Sequence, residues 1–163
     1  MNPTRLSREQ FIARFGGVYE HSPHFAAAVW DAGAATGPAE ALYDAFRRAV
    51  EDSGENAQLA LVRAHPDLAN RVAMSKESTN EQIGAGLDAC TTEEFNEFQR
   101  LNDEYKRKFD FPFIMAVRGL DRAHILATFR NRLKGARDDE LRMALDQIHR
   151  IAALRLNDIL TGA

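Results

Sequence analysis

Apolar residues recur at intervals of three and four positions from Leu141 to Ile159, a longer unbroken helical rhythm than any other in this chain. Such spacing gives a helix one apolar stripe that has to be buried against other elements. Similar stripes, separated by helix caps and stops, fill most of the remaining sequence. The sequence therefore predicts an all-α fold, a single-domain helical bundle of about seven to nine helices.

Helix boundaries can be predicted from short polar and proline-containing signals. A Ser/Thr residue followed three positions later by Glu or Gln forms a capping box, and a proline is well placed at the first position of a helix. The predicted starts are Ser7 with Gln10, Ser22-Pro23, Pro38, Thr91 with Glu94, Asp121 and Asp138.

Composition narrows the function classes. With 163 residues, 45% of them hydrophobic, the chain is predicted to form one domain over residues 1–163. A net charge of −3 from mixed acidic and basic residues argues against nucleic acid or an anionic membrane as a partner. One cysteine, Cys90, allows no intrachain disulfide, and no apolar run approaches the length of a membrane span, so we expect a cytoplasmic protein.

His65 is followed directly by Pro66 at the end of a predicted helix. Proline disfavours the α conformation of the residue before it, so the turn is expected to fix the backbone of His65 and aim its ring. Histidine titrates closer to neutral pH than other side chains, which makes His65 a candidate proton donor or acceptor. A structural histidine that caps a turn remains open at this point.

Two segments interrupt the helical rhythm and are candidate site elements. In residues 78–87 two glycines weaken a helical pattern, and Ser78 with Glu81 forms a capping box that is a purely structural alternative. In residues 111–117 an apolar run contains Pro112 and has no helical period. If buried, the peptide groups of this run need partners, either within the protein or on a polar ligand.

The sequence contains none of the common catalytic signatures, such as a phosphate-binding loop or a zinc-binding His-Glu-x-x-His helix. His21 and His24 are three residues apart, but with Pro23 between them and no third ligand they make a poor metal site, so no metal is predicted. His124 and His149 are interpreted as surface or boundary residues of amphipathic helices.

Several motifs occur in an order and spacing that resemble the OHCU decarboxylase family, which acts on 2-oxo-4-hydroxy-4-carboxy-5-ureidoimidazoline (OHCU) in urate degradation. The resemblance covers essentially the whole chain. The motifs are His65-Pro66-x-Leu68, Ser78-x-x-Glu81-Gln82-x-x-Ala85-Gly86-Leu87, Leu101-Asn102-x-x-Tyr105, Phe109-x-Phe111-Pro112-Phe113 and Arg155-Leu156.

The resemblance implies a family-specific all-α fold, a homodimer, and a carboxy-lyase that forms S-allantoin without a cofactor. It makes His65 the catalytic proton donor, with Glu81 and Arg155 as further catalytic residues. The implied substrate-binding residues are Pro66, Ser78, Thr79, Asn80, Glu81, Gln82, Phe113, Ile114, Met115, Ala116, Val117 and Arg155.

Two other function classes stay open from the residues alone. Amphipathic helices and composition equally fit a helical interaction or ligand-binding module without catalysis. A ring hydrolase in which His65 activates water is a second possible enzyme. The partner favoured by the resemblance is a small-molecule substrate, the ureidoimidazoline carboxylate.

Overall fold

A computed structural model describes residues 3–68 and 90–162 of the chain. A 3₁₀ turn at Pro3–Arg5 precedes seven α-helices in this part of the protein, which contains no strand. The all-α prediction is thus confirmed. The helices are α1 Arg8–Phe15, α2 His24–Asp31, α3 Ala39–Glu51, α4 Glu55–Ala64, α5 Thr92–Phe109, α6 Arg122–Arg132 and α7 Arg137–Thr161.

Most predicted helix starts are confirmed because their signals are local. Ser7 and Thr91 each form a reciprocal capping box, and the Asp121 side chain accepts from His124 N–H. Two predictions were wrong by a residue. Pro23, not Ser22, occupies the N-cap of α2, since the Ser22 hydroxyl donates to the Glu20 carbonyl instead. Asp138 lies in the first turn of α7, where its charge favours the helix dipole.

The helices belong to two compact units, each with its own core. The first comprises Met1–Ala64 and Ile148–Ala163, and therefore contains α1 to α4 and the C-terminal part of α7. Helix α1 packs on α2, α2 on α3, and α3 on α4. Phe11 stands at the centre of an aromatic cluster, with ring centroids 4.7 Å from Phe15, 5.5 Å from Trp30 and 6.2 Å from Phe46. Burial of these large rings provides the main stabilisation of this unit.

The second unit, His65–Gln147, contains α5, α6 and the N-terminal part of α7. Its core is also aromatic and is built around Tyr105 of α5, whose ring meets Phe109, Phe113 and Phe129. Phe113 stacks on Phe129 with their ring planes 8° apart. The non-helical run that follows α5 is thereby part of the core of this unit.

Candidate active site

His65 lies directly after the last residue of α4, as its position before Pro66 predicts. Its side chain is buried, whereas Pro66 is exposed. Two contacts hold the turn that follows: Leu68 is buried, and the Asp67 carboxylate accepts from Lys106 Nζ of α5 at 3.1 Å. A buried imidazole on a turn fixed at its far end has few alternative orientations, which is what a proton-transferring group requires.

The predicted binding segment Phe113–Val117 is non-helical, and four of its five side chains are buried. Two side chains hold its backbone. Arg132 Nη1 donates to the Ile114 carbonyl at 2.6 Å, and Ala116 N–H donates to Gln147 Oε1 at 3.0 Å. The segment is therefore a fixed part of the second unit, and its irregular backbone is positioned by side chains of α6 and α7.

Arg132 is itself held in a buried polar network. Its Nε donates to Glu140 Oε2 at 3.0 Å, and the Tyr105 hydroxyl donates to the same carboxylate oxygen at 2.6 Å. The guanidinium also lies over the Phe113 ring, 4.5 Å from its centroid. Burial, together with the hydrogen bond to Glu140, raises the pKa of Tyr105 above its ordinary value, so the hydroxyl stays protonated and donating.

Sequence reasoning overlooked Arg132 and Glu140 as components of a site. The sequence does contain a signal that Arg132 is buried. Arg132 lies seven residues after Ile125 and three after Phe129, on the buried stripe of α6. Charged residues are rarely buried unless they are paired, so a charge on an apolar stripe predicts a buried partner. The sequence does not say which acidic residue that partner is.

Arg155 belongs to the first unit, where its guanidinium is half-buried. It donates from Nη2 to Glu20 Oε2 at 2.6 Å and from Nη1 to the Gly17 carbonyl at 3.2 Å. These bonds fix the plane of the guanidinium relative to the loop between α1 and α2. Arg155 is thus an oriented guanidinium whose charge is paired with Glu20.

The interpretation of His149 as a surface or boundary residue was wrong, whereas His124 is exposed as expected. His149 is only 2% exposed; its Nδ1 lies 2.8 Å from the Tyr19 hydroxyl and its Nε2 2.9 Å from Glu51 Oε1. It follows Leu145 by four residues and precedes Ala152 by three, so it lies on the buried stripe of α7. That spacing could have predicted its burial.

The remaining predicted site residues, Ser78, Thr79, Asn80, Glu81 and Gln82, lie outside the described residues. Within residues 3–68 and 90–162, no group of three His, Cys, Asp or Glu side chains is arranged to hold a metal ion. In the same part of the chain, no helix is long and apolar enough to cross a membrane.

A surface groove of about 810 Å³ lies between α2 and α3 of the first unit. Alanines make up much of its lining, with His24, Asp44, Arg48 and Asp52 contributing polar groups. It contains none of the predicted substrate-binding residues. Size alone is a weak guide to function here, because the groove has no convergent buried polar groups of the kind that orient a ligand.

Comparison with known proteins gives concordant matches along nearly the whole chain. Residues 4–157 match the family model described as OHCU decarboxylase. The 2-oxo-4-hydroxy-4-carboxy-5-ureidoimidazoline decarboxylase of Haloferax volcanii is 41% identical over 152 residues, covering 93% of this chain and 90% of that protein. The protein of the same name from Mus musculus is 36% identical, and the match covers 93% of this chain and 86% of that protein.

Longer proteins and solved structures match as well. The uric acid degradation bifunctional protein of Bacillus subtilis is 38% identical, and the match covers 96% of this chain but 32% of that protein. A crystal structure of (S)-allantoin synthase is similar with a TM-score of 0.78 and 30% identity, covering 94% of this chain and 51% of the other. A structure of OHCU decarboxylase in the presence of (S)-allantoin is similar with a TM-score of 0.65 and 19% identity. The match covers 96% of this chain and 99% of the other, and it supports the fold.

Proposed function

Because this chain belongs to the OHCU decarboxylase family, we propose that His65 is the proton donor of its decarboxylation reaction. The chain is a carboxy-lyase that converts OHCU to allantoin in urate degradation. The observation that carries the proposal for His65 is its burial at the exit of α4, on a turn held by Leu68 and by the Asp67–Lys106 ion pair.

The chemistry requires proton transfer and charge stabilisation. The bond between the ring carbon and its carboxylate breaks and CO₂ leaves. The released electron pair forms a C=C bond to the adjacent ring carbon, and the pair of the C=N bond moves to its nitrogen, which takes up a proton from solvent. The substrate hydroxyl loses its proton and becomes a carbonyl, while His65 adds a proton to one face of the adjacent ring carbon. Delivery from one side gives one enantiomer, S-allantoin. Positioned acid–base groups typically contribute about 10² to 10⁴ in rate.

The other site residues are assigned by the family resemblance and by the chemistry of their side chains. Arg155 binds an anionic oxygen or a ring carbonyl through its planar fork of donors, and its bonds to Glu20 and Gly17 support an oriented role. Backbone groups of Phe113–Val117 bind a polar edge of the substrate, and their side chains exclude water. Pro66 positions His65 and forms part of the pocket wall.

Residues 78–82 complete the proposed site. Glu81 and Gln82 bind the ureido and ring N–H groups, and Ser78, Thr79 and Asn80 are further substrate-binding residues. Glu81 is a catalytic residue in this proposal, and a helix cap at Ser78 is the structural alternative. The assignment rests on the family motif.

Residues 1–163 form one OHCU decarboxylase-like domain, which is supported by a single family match over residues 4–157. The enzyme works without a metal or cofactor, since the substrate supplies its own electron sink. It acts as a cytoplasmic homodimer on a small molecule, with neither nucleic acid nor membrane as a partner.

The test generates the unstable substrate in place from urate and follows the optical activity of the allantoin formed. We expect S-allantoin in enantiomeric excess, formed faster than spontaneous decay forms it without the protein. Racemic allantoin at the spontaneous rate would indicate a non-catalytic module. A ring-opened acid that retains its carboxylate would indicate a hydrolase.

A further inference from the structure

The backbone of the proposed binding segment is held at two groups that lie two residues apart, the Ile114 carbonyl and the Ala116 N–H. Arg132 and Gln147 therefore hold the backbone on both sides of Met115.

The residue between the two anchors is Met115. Met115 is 8% exposed, yet no residue in the described part of the chain hydrogen-bonds to its N–H or its C=O. Buried peptide groups are paired in the great majority of cases, with protein, water or ligand. An edge that presents one donor and one acceptor matches an amide-like N–H and C=O pair, such as a ureido or ring amide group.

Both anchors are built to be rigid. Arg132 is 7% exposed and Gln147 is 9% exposed. Glu140 neutralises the Arg132 charge and fixes its fork, while the Phe113 ring is enclosed between that guanidinium and Phe129. Gln147 has a second contact, from its Nε2 to Met143 Sδ at 3.8 Å, which favours the amide orientation that leaves Oε1 toward Ala116.

We infer that Arg132 and Gln147 are positioning residues that fix Phe113–Val117 so that the N–H and C=O of Met115 bind an amide-type edge of the substrate. This inference rests on the proposed function of the site. Neither residue is assigned contact with the substrate. Their effect is to keep the Met115 groups in place before binding, which lowers the entropic cost of ordering the site.

The test uses Gln147, because its replacement by Met leaves no buried charge behind. Gln147→Met keeps the length of the side chain but has no acceptor for Ala116 N–H, whereas Gln147→Glu keeps an acceptor oxygen. Gln99→Met makes the same chemical change on α5 at a residue that is not part of the network. All variants are assayed for KM, kcat and melting temperature with substrate generated in place.

We expect Gln147→Met to raise KM about tenfold, the equivalent of one well-placed hydrogen bond. Its kcat should change less than KM, Gln147→Glu should recover most of the lost affinity, and Gln99→Met should match the wild type. The inference is overturned if Gln147→Met has the wild-type KM, or if Gln147→Glu raises KM as much as Gln147→Met does. Failure of the proposed function is separate, because the wild-type protein itself would then give no enantiomeric excess.

Discussion

The two units of this protein each contain one buried polar network, and the two networks are built from different chemistry. In the second unit the Tyr105 hydroxyl donates to a carboxylate, Glu140, that is paired with the permanently charged Arg132. In the first unit Tyr19 is paired with His149, which also bonds Glu51. Each network includes a residue of α7, Glu140 in one and His149 in the other.

This difference in chemistry indicates how much stability each network loses when one partner is removed. Arg132 and Glu140 are both less than a tenth exposed, so loss of either partner leaves an uncompensated charge in the core. Glu51 is a third exposed, so water can replace its partner if His149 is lost. The Arg132 network is also bonded to Ile114 of the proposed binding segment, whereas Tyr19 precedes Glu20, the partner of Arg155. We therefore expect unequal effects of equivalent substitutions.

The largest effect is expected for Arg132→Met. Removing one member of a buried ion pair costs about 3–5 kcal/mol, because the other charge stays buried without compensation. Urea-induced unfolding would measure this loss. The double variant Arg132→Met with Glu140→Gln removes the isolated charge and keeps an acceptor for Tyr105, so it should recover more than half of the loss. A single variant within about 1 kcal/mol of the wild type would show that the pair is not buried as described.

A smaller effect is expected for His149→Leu in the first unit. The Tyr19 hydroxyl then remains buried without its partner, which costs about 1–3 kcal/mol. Adding Tyr19→Phe removes the unpaired hydroxyl and should restore part of the stability. The control is the loss of unfolding free energy caused by Tyr19→Phe alone. If Tyr19→Phe causes the same loss when it is added to His149→Leu, the two side chains are not coupled.

Alkaline unfolding gives a smaller expected effect per pH unit and compares the two tyrosines directly. Burial raises the pKa of both Tyr19 and Tyr105 above the ordinary value of about 10. Above about pH 10 the unfolded chain releases these protons while the folded chain keeps them, so stability falls as the pH rises. Each tyrosine contributes up to about 1.4 kcal/mol per pH unit.

Tyr19→Phe and Tyr105→Phe should each flatten the pH dependence of the free energy of unfolding between roughly pH 10 and 12. Guanidine-induced unfolding at a series of pH values checks this. A slope that is identical in the wild type and in both variants would mean that neither hydroxyl is buried in its protonated form.

Local signals in the sequence predicted more of this protein than long-range ones did. The capping boxes at Ser7 and Thr91 depend on residues three apart, and both form as predicted. The burial of His149 depends on Tyr19, 130 positions away in the chain, so periodicity could predict an inward position but not a partner. The fold class followed from the apolar stripes, because the helical period decides which faces must be buried.

In the candidate site, too, local signals predict the position of a residue but not its distant partners. His65 was identified from its position before Pro66, a local constraint, and the structure places it at the end of α4 and buries it. The sequence predicts an irregular apolar run over residues 111–117, and the family resemblance implies that Phe113–Val117 is its binding part. The anchors of this segment, Arg132 and Gln147, come from α6 and α7. Sequence patterns locate such a segment, whereas the residues that hold it depend on how the helices pack.

In the proposed reaction, His65 moves the proton that fixes the configuration of the product. The most direct test of this role is His65→Ala, assayed for the rate and enantiomeric excess of allantoin with substrate generated in place from urate, and checked for an unchanged helical content. We predict loss of the rate acceleration, by about 10² or more, with racemic allantoin formed at the spontaneous rate. Near-normal formation of S-allantoin by the folded variant would contradict the account.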